Sequence, residues 1–137
     1  MRGWNPLRLF FSLAFTLFFA IFPHMTTTTT TVRRTPLING TSLKGYISCT
    51  YNELCNVFGA PDKYNDPIDT TDKVNIEWCL KFPDGTIATI YAWKRVPSDP
   101  DDFFEWNIGG YKLDAVDRVE EAFHQYGIKN VLTRTFR

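Results

Sequence analysis

The sequence predicts an α+β domain: an antiparallel meander sheet of three to five strands, with a short N-terminal helix and a long C-terminal helix packed on one face. Three observations predict it. Residues 74–82, "VNIEWCLKF", alternate apolar and polar with period two, the pattern of a half-buried strand. Residues 86–94, "TIATIYAWK", answer them across Pro83-Asp84-Gly85, which has hairpin-turn chemistry. Between Asp114 and Gly127, Val116, Val119, Phe123 and Tyr126 recur at helical spacing, flanked by Ala115 and Ala122. A twisted sheet with a helix on one face buries both patterns economically.

The elements follow in order from about Leu37. "GYISCT", 45–50, reads as a short strand. Thr50 stands three residues before Glu53 in a capping-box pattern, and Tyr51, Leu54 and Phe58 then repeat as one helical face, giving a helix over 51–58. Gly59 sits where a helix end accepts positive φ, and Pro61 blocks continuation. Residues 60–72 are a polar loop. On 74–82, Val74, Ile76, Trp78, Leu80 and Phe82 share the face expected to be buried. On the return strand, Ile87, Thr89, Tyr91 and Trp93 share one face and Ala88, Ile90, Ala92 and Lys94 the other; both are largely apolar, as in a central strand. After the turn-rich acidic loop 95–102, residues 103–108 form a third long strand. Gly109-Gly110 should break it, with positive φ at one of the pair. Asp114 is the expected N-cap of the last helix and Gly127 its end; "NVLTRTF", 130–136, is a last strand or an ordered tail.

Three regions are expected: residues 1–24, an apolar signal or membrane anchor; 25–36, a threonine-rich linker; 37–137, a single domain. Leu9 to Phe22 are apolar except Ser12 and Thr16. That run is shorter than the roughly 20 residues a bilayer span takes and suits a signal peptide's apolar core. Large residues, Ile21 and Phe22, stand where a cleavage site wants small ones, so an uncleaved anchor through residues 4–22 is an equal reading. The protein is then membrane-associated; translation from Met25 makes it cytoplasmic. Asn39-Gly40-Thr41 fits a glycosylation sequon, which matters only outside the cytosol.

Charge is balanced, 15 Lys plus Arg against 15 Asp plus Glu, so no nucleic-acid partner is expected from overall composition. The cysteines Cys49, Cys55 and Cys79 form no C-x-x-C pair, and His24 and His124 add no metal-ligand spacing. No metal and no cofactor are expected. One disulfide with a spare thiol and three buried reduced thiols both fit, and buried thiols behave as small apolar residues.

The blocks "GYISCTYNELCNVFGAP", "DKVNIEWCLKFPDGTIATIYAWK", "WNIGG" and "AVDRVEEAF" resemble a small uncharacterised protein family of bacteriophages and large DNA viruses. The shared pattern is FG-x-P, then D-K-V-x-x-E-W, D-G-x-x-A-T-I-Y-x-W-K and W-x-I-G-G, over residues 43–126. The resemblance implies a viral origin and a compact α+β domain, and no catalytic residues. The apolar N-terminal segment departs from the pattern.

Aromatic residues are 16% of the chain, and several crowd beside glycines. Tyr91, Trp93, Lys94, Trp106, Gly109 and Gly110 are the candidate ligand-binding set. Rings stack on planar ligands, and a glycine pair ahead of a helix can bring backbone N–H groups to an anion. The alternative keeps Tyr91, Trp93 and Trp106 in the core and makes the glycines a turn. The pair falls short of G-x-G-x-x-G and lacks a P-loop lysine. Asp99, Asp101 and Asp102 read as a solvated loop, and His124 has no evident partner for catalysis with Cys55. The expected function is a non-enzymatic binding module acting on a host component, either a host protein or a small-molecule ligand. The alternative is a sponge for a small nucleotide-like signal.

Overall fold

A computed structural model describes residues 31–136. The apolar segment 9–22 and residues 26–30 of the threonine run lie outside them. The described chain forms β1 (Arg33–Arg34), β2 (Ser42–Cys49), α1 (Tyr51–Phe58), β3 (Lys63–Tyr64), β4 (Val74–Lys81), β5 (Ile87–Trp93), β6 (Phe104–Gly110), α2 (Asp114–Tyr126) and β7 (Leu132–Thr135). The strands make one open antiparallel sheet in the order β1-β4-β5-β6-β2-β7, with β3 also paired to β4. Among the described residues, no helix is long and apolar enough to cross a membrane.

The sheet has seven strands where three to five were expected. Only β4-β5-β6 is a meander. β2 returns to pair with β6, Ile47 opposite Trp106, and β7 adds outside β2. Both pairings join distant parts of the chain, so no local pattern announces them. β1 also lies within the stretch expected as linker. It pairs with β4, and the Arg34 guanidinium donates to the Phe58 and Ala60 carbonyls (2.7 Å for Ala60) at the end of α1 while pairing with Asp62 at 2.8 Å.

The helix ends follow local chemistry. At α1, Thr50 Oγ1 accepts from Glu53 N–H at 3.0 Å and Glu53 Oε1 accepts from Thr50 N–H at 2.9 Å, completing the capping box. At α2 the N-cap is Leu113, with no side-chain cap; Asp114 is instead the first helical residue. With Asp117 it puts negative charge at the positive end of the helix dipole. Gly127, at φ 109°, ends α2 in the left-handed region.

Both helices bury apolar residues against one face of the sheet. Phe58 of α1 meets Phe123 of α2 edge-on at 5.9 Å and Phe82 at 6.4 Å. Beneath them lie Trp78, Ile90, Ile108 and Ile47, all fully buried. Trp78 and Trp106 form a T-shaped pair at 5.5 Å, with Tyr51 of α1 packed on both. Their indole N–H groups are both satisfied: Trp78 donates to the Gly59 carbonyl at 2.8 Å and Trp106 to the Cys49 carbonyl at 3.1 Å. Those carbonyls bracket α1, so the two indoles tie down its ends.

Gly109 and Gly110 do not break β6; they are its last two residues, and neither has positive φ. They are small because neighbours come close. A Cβ on Gly110 would lie 2.6 Å from the Ala115 Cβ, so glycine there lets the start of α2 sit on the sheet. On the other face, a Cβ on Gly109 would lie 2.4 Å from Thr89 Oγ1 and 3.5 Å from the Tyr91 ring.

Val74 departs from the simple alternation. A bulge between Val74 and Glu77 sets Val74 opposite Trp93 while Glu77 stands opposite Tyr91. Buried Asn75, within the bulge, organises the preceding loop: its amide accepts from Asn65 and Asp69 N–H, both at 2.9 Å, and donates to the Asp69 and Asp72 carbonyls.

Trp78→Ala should destabilise the protein by roughly 3–5 kcal/mol, because a large buried ring is lost and the Gly59 carbonyl loses its donor. Denaturant unfolding of the full chain measures this; a loss below about 1 kcal/mol would contradict the packing described.

Candidate functional site

Among the described residues nothing covers the face opposite the helices, and strand register lines it with one continuous row. Lys63 of β3 stands opposite Glu77 of β4, Glu77 opposite Tyr91 of β5, Tyr91 opposite Asn107 of β6, Asn107 opposite Tyr46 of β2, and Tyr46 opposite Arg134 of β7. Directly opposed side chains share a face, so this polar and aromatic row crosses the sheet. Arg134 packs its guanidinium 3.9 Å from the centre of the Tyr46 ring and pairs with Glu105 at 3.1 Å. Phe136 meets the Tyr46 ring edge-on at 6.4 Å.

Toward the end of β5 the face dips into a concavity of about 440 Å³. Leu43, Tyr46, Tyr91, Trp93, Arg95 and Asn107 line it, with Phe104 and Glu105 at its side. Tyr91 and Trp93 meet edge-on at 6.4 Å. Trp93 is 43% exposed, the ring most accessible to a ligand in this hollow. Two ammonium groups flank it: Lys73 Nζ lies 5.8 Å and Lys94 Nζ 5.9 Å from its centroid. Lys94 has φ 63°. This left-handed residue ends the strand period, which would otherwise have placed Lys94 on the face opposite Trp93. The Arg95 guanidinium lies 4.7 Å from the centre of the Phe104 ring.

The candidate set therefore divides. Tyr91 and Trp93 line the concavity, Lys94 flanks the Trp93 ring, and Gly109 lies on the open face near the Tyr91 ring. Trp106 is fully buried on the helix-covered face, and Gly110 meets α2 there. The glycine backbone is committed to the sheet: Gly109 lies between Thr89 and Leu43, and Gly110 between Ala88 and Ser42. The pair forms no anion-binding turn. The sequence reading missed Tyr46, Asn107, Glu105 and Arg134, which reach this face only through long-range pairing. The alternation of β2 set Tyr46 apart from Ile47, but nothing local showed which strands would flank it. Arg95, read as part of an acidic loop, also lines the concavity, and Lys73 comes beside the Trp93 ring.

Ionisation follows the burial pattern. Burial raises the Glu77 carboxyl above its ordinary range, against the lowering effects of Lys63 and the Cys79 hydrogen bond. Burial also raises the Tyr91 phenol, with Asn107 opposing it. The three thiols are unpaired. Burial, reinforced by Glu53, raises the Cys49 thiol far above its ordinary value. Burial, with Glu77 and Asp62 adding to it, pushes Cys79 up to about 12. Neither thiol is activated as a nucleophile at neutral pH. Among the described residues no group of His, Cys, Asp and Glu gathers that could hold a metal ion.

No family model, curated protein or solved structure matches the chain.

Glu77→Gln tests the electrostatics of the row. Glu77 has a higher pKa folded than unfolded, so the folded state holds its proton more tightly, and stability falls as pH rises above the ordinary carboxylate range. The variant should gain thermal stability over the parent at pH 7, with the gain shrinking as pH is lowered through that range. A gain that is independent of pH, or a loss confined to neutral pH, would contradict burial as the dominant effect.

Proposed function

We propose that the chain is a non-enzymatic binding module of viral origin that takes a host component on the open face of its sheet. The observation that carries this reading is the division of the sheet. One face is closed by both helices, whereas the other keeps Trp93, Leu132 and Phe136 exposed around a polar, aromatic row. Exposed apolar groups set among polar and aromatic ones are characteristic of contact surfaces. The raised Cys49 and Cys79 thiols support a binding role over nucleophilic catalysis. The viral origin rests on the ordered sequence blocks from FG-x-P to W-x-I-G-G. Residues 4–22 hold the module at a membrane in this reading; initiation at Met25 releases it to the cytoplasm.

The alternative, a sponge for a small nucleotide-like signal that antagonises host defence, draws support from the cations around Trp93.

The test compares surfaces. Immobilised full-length protein is incubated with host-cell extract, and retained proteins and small molecules are identified by mass spectrometry. Leu132→Ser combined with Trp93→Ala should abolish specific retention. Tyr126→Ser, at an exposed position on α2, should leave it unchanged. Retention that survives the open-face variant, or is lost with Tyr126→Ser, contradicts the assignment of the binding face.

A further inference from the structure

Resting on the open-face reading, we infer that the concavity beside Trp93 binds a mononucleotide-sized ligand, with its base stacked on the Trp93 ring and its phosphate held among Lys73, Lys94 and Arg95. Three independent features converge on this chemistry.

The first is an accessible flat ring. Trp93 is 43% exposed, whereas Trp78 and Trp106 are fully buried. Every nucleobase presents a π-face that an indole can stack on. The tyrosine hydroxyls of Tyr46 and Tyr91 and the Asn107 amide line the same concavity, and can meet polar groups on the base or ribose.

The second is uncompensated positive charge. The whole chain is formally neutral. Ion pairs among the described residues join Arg34 to Asp62, Lys63 to Asp72, Arg118 to Asp84 and Glu121, and Arg134 to Glu105. Lys73, Lys94 and Arg95 are not among them, yet they stand around one ring and its adjoining hollow. Glu105, also in the hollow, is already engaged by Arg134. Glu77 faces Lys63 and Tyr91 across the strands. Two carboxylates of the following loop are engaged elsewhere: Asp101 accepts from the Asn52 amide at 2.5 Å, and Asp99 from the Asp101 N–H at 2.8 Å. A phosphate can therefore draw on Lys73, Lys94 and Arg95 without displacing a carboxylate.

The third is placement. Lys94 N–H donates to the Lys73 carbonyl at 2.7 Å, which ties the backbones of the two lysines together at the strand ends beside Trp93. Their side chains remain free to move from the ring face to an arriving phosphate. Arg95 lies over Phe104, which supports its planar guanidinium beside the hollow. At about 440 Å³, the concavity falls in the size range of small-molecule sites.

Isothermal titration calorimetry of the full-length chain tests the inference, with adenosine, guanosine and uridine monophosphates as probes. Adenosine, inorganic phosphate and a single-stranded oligothymidylate serve as comparisons. At least one mononucleotide should bind at one site per chain, more tightly than adenosine or phosphate alone and less tightly as salt rises. Trp93→Ala should weaken that binding at least roughly tenfold, and Trp93→Phe should recover most of it. Lys73→Ala with Lys94→Gly should weaken the mononucleotide but leave adenosine unaffected. Absence of mononucleotide binding, binding only of the oligonucleotide, or an affinity unchanged by Trp93→Ala overturns the inference. A host protein retained through the open face without mononucleotide binding would overturn the inference alone; retention independent of that face would remove the broader reading as well.

Discussion

Two indoles hold the architecture together. Trp78 on β4 and Trp106 on β6 meet at right angles in the sheet centre, and each N–H reaches a carbonyl at one end of α1. A buried indole must find an acceptor or lose roughly 1–3 kcal/mol to desolvation. Here that requirement positions a helix of only eight residues, too short to be stable alone. Arg34 adds a second restraint through the Phe58 and Ala60 carbonyls. With α1 seated there and α2 admitted by Gly110, one sheet face is closed.

Closing that face determines the chemistry available on the other. In an antiparallel strand successive residues point to opposite sides, so Ile90 and Ala92 in the core put Tyr91 and Trp93 outside. Pairing of β2 with β6 and β7 brings Tyr46, Asn107 and Arg134 onto the same surface. Formal neutrality of the chain conceals the resulting local charge. Asp101 and Asp99 of the 95–102 loop are held by Asn52 and by the loop's own backbone, while Lys73, Lys94 and Arg95 surround the exposed ring and hollow.

Local chemistry made much of the fold legible. The capping box at Thr50, the period-two pattern of β4 and the helical stripe of α2 all correspond to observed elements. What escaped was non-local. The β2–β6 and β2–β7 pairings have no sequence-adjacent turn to announce them, and β1 is too short to carry a period. The aromatics of β5 were ambiguous because both its faces are apolar; only the observed helix packing separates Ile90 from Tyr91. The glycine pair misled for a different reason. Glycine serves positive φ and close packing alike, and Gly109 and Gly110 serve packing. The cationic edge of the concavity depended on Lys94 leaving strand geometry and on Arg95 folding toward the sheet, neither of which alternation encodes.

The described tryptophans divide between a sealed face, with Trp78 and Trp106, and an open one, with Trp93. Hydrogen exchange at the indole nitrogens, followed by nitrogen-15 NMR with each tryptophan assigned, measures that division directly. Trp78 and Trp106 should exchange only on the timescale of global unfolding, because both N–H groups are buried and bonded, while Trp93 exchanges rapidly under the same conditions. Rapid exchange at Trp78 or Trp106 in the folded protein, or protection of Trp93 equal to theirs, would contradict the account.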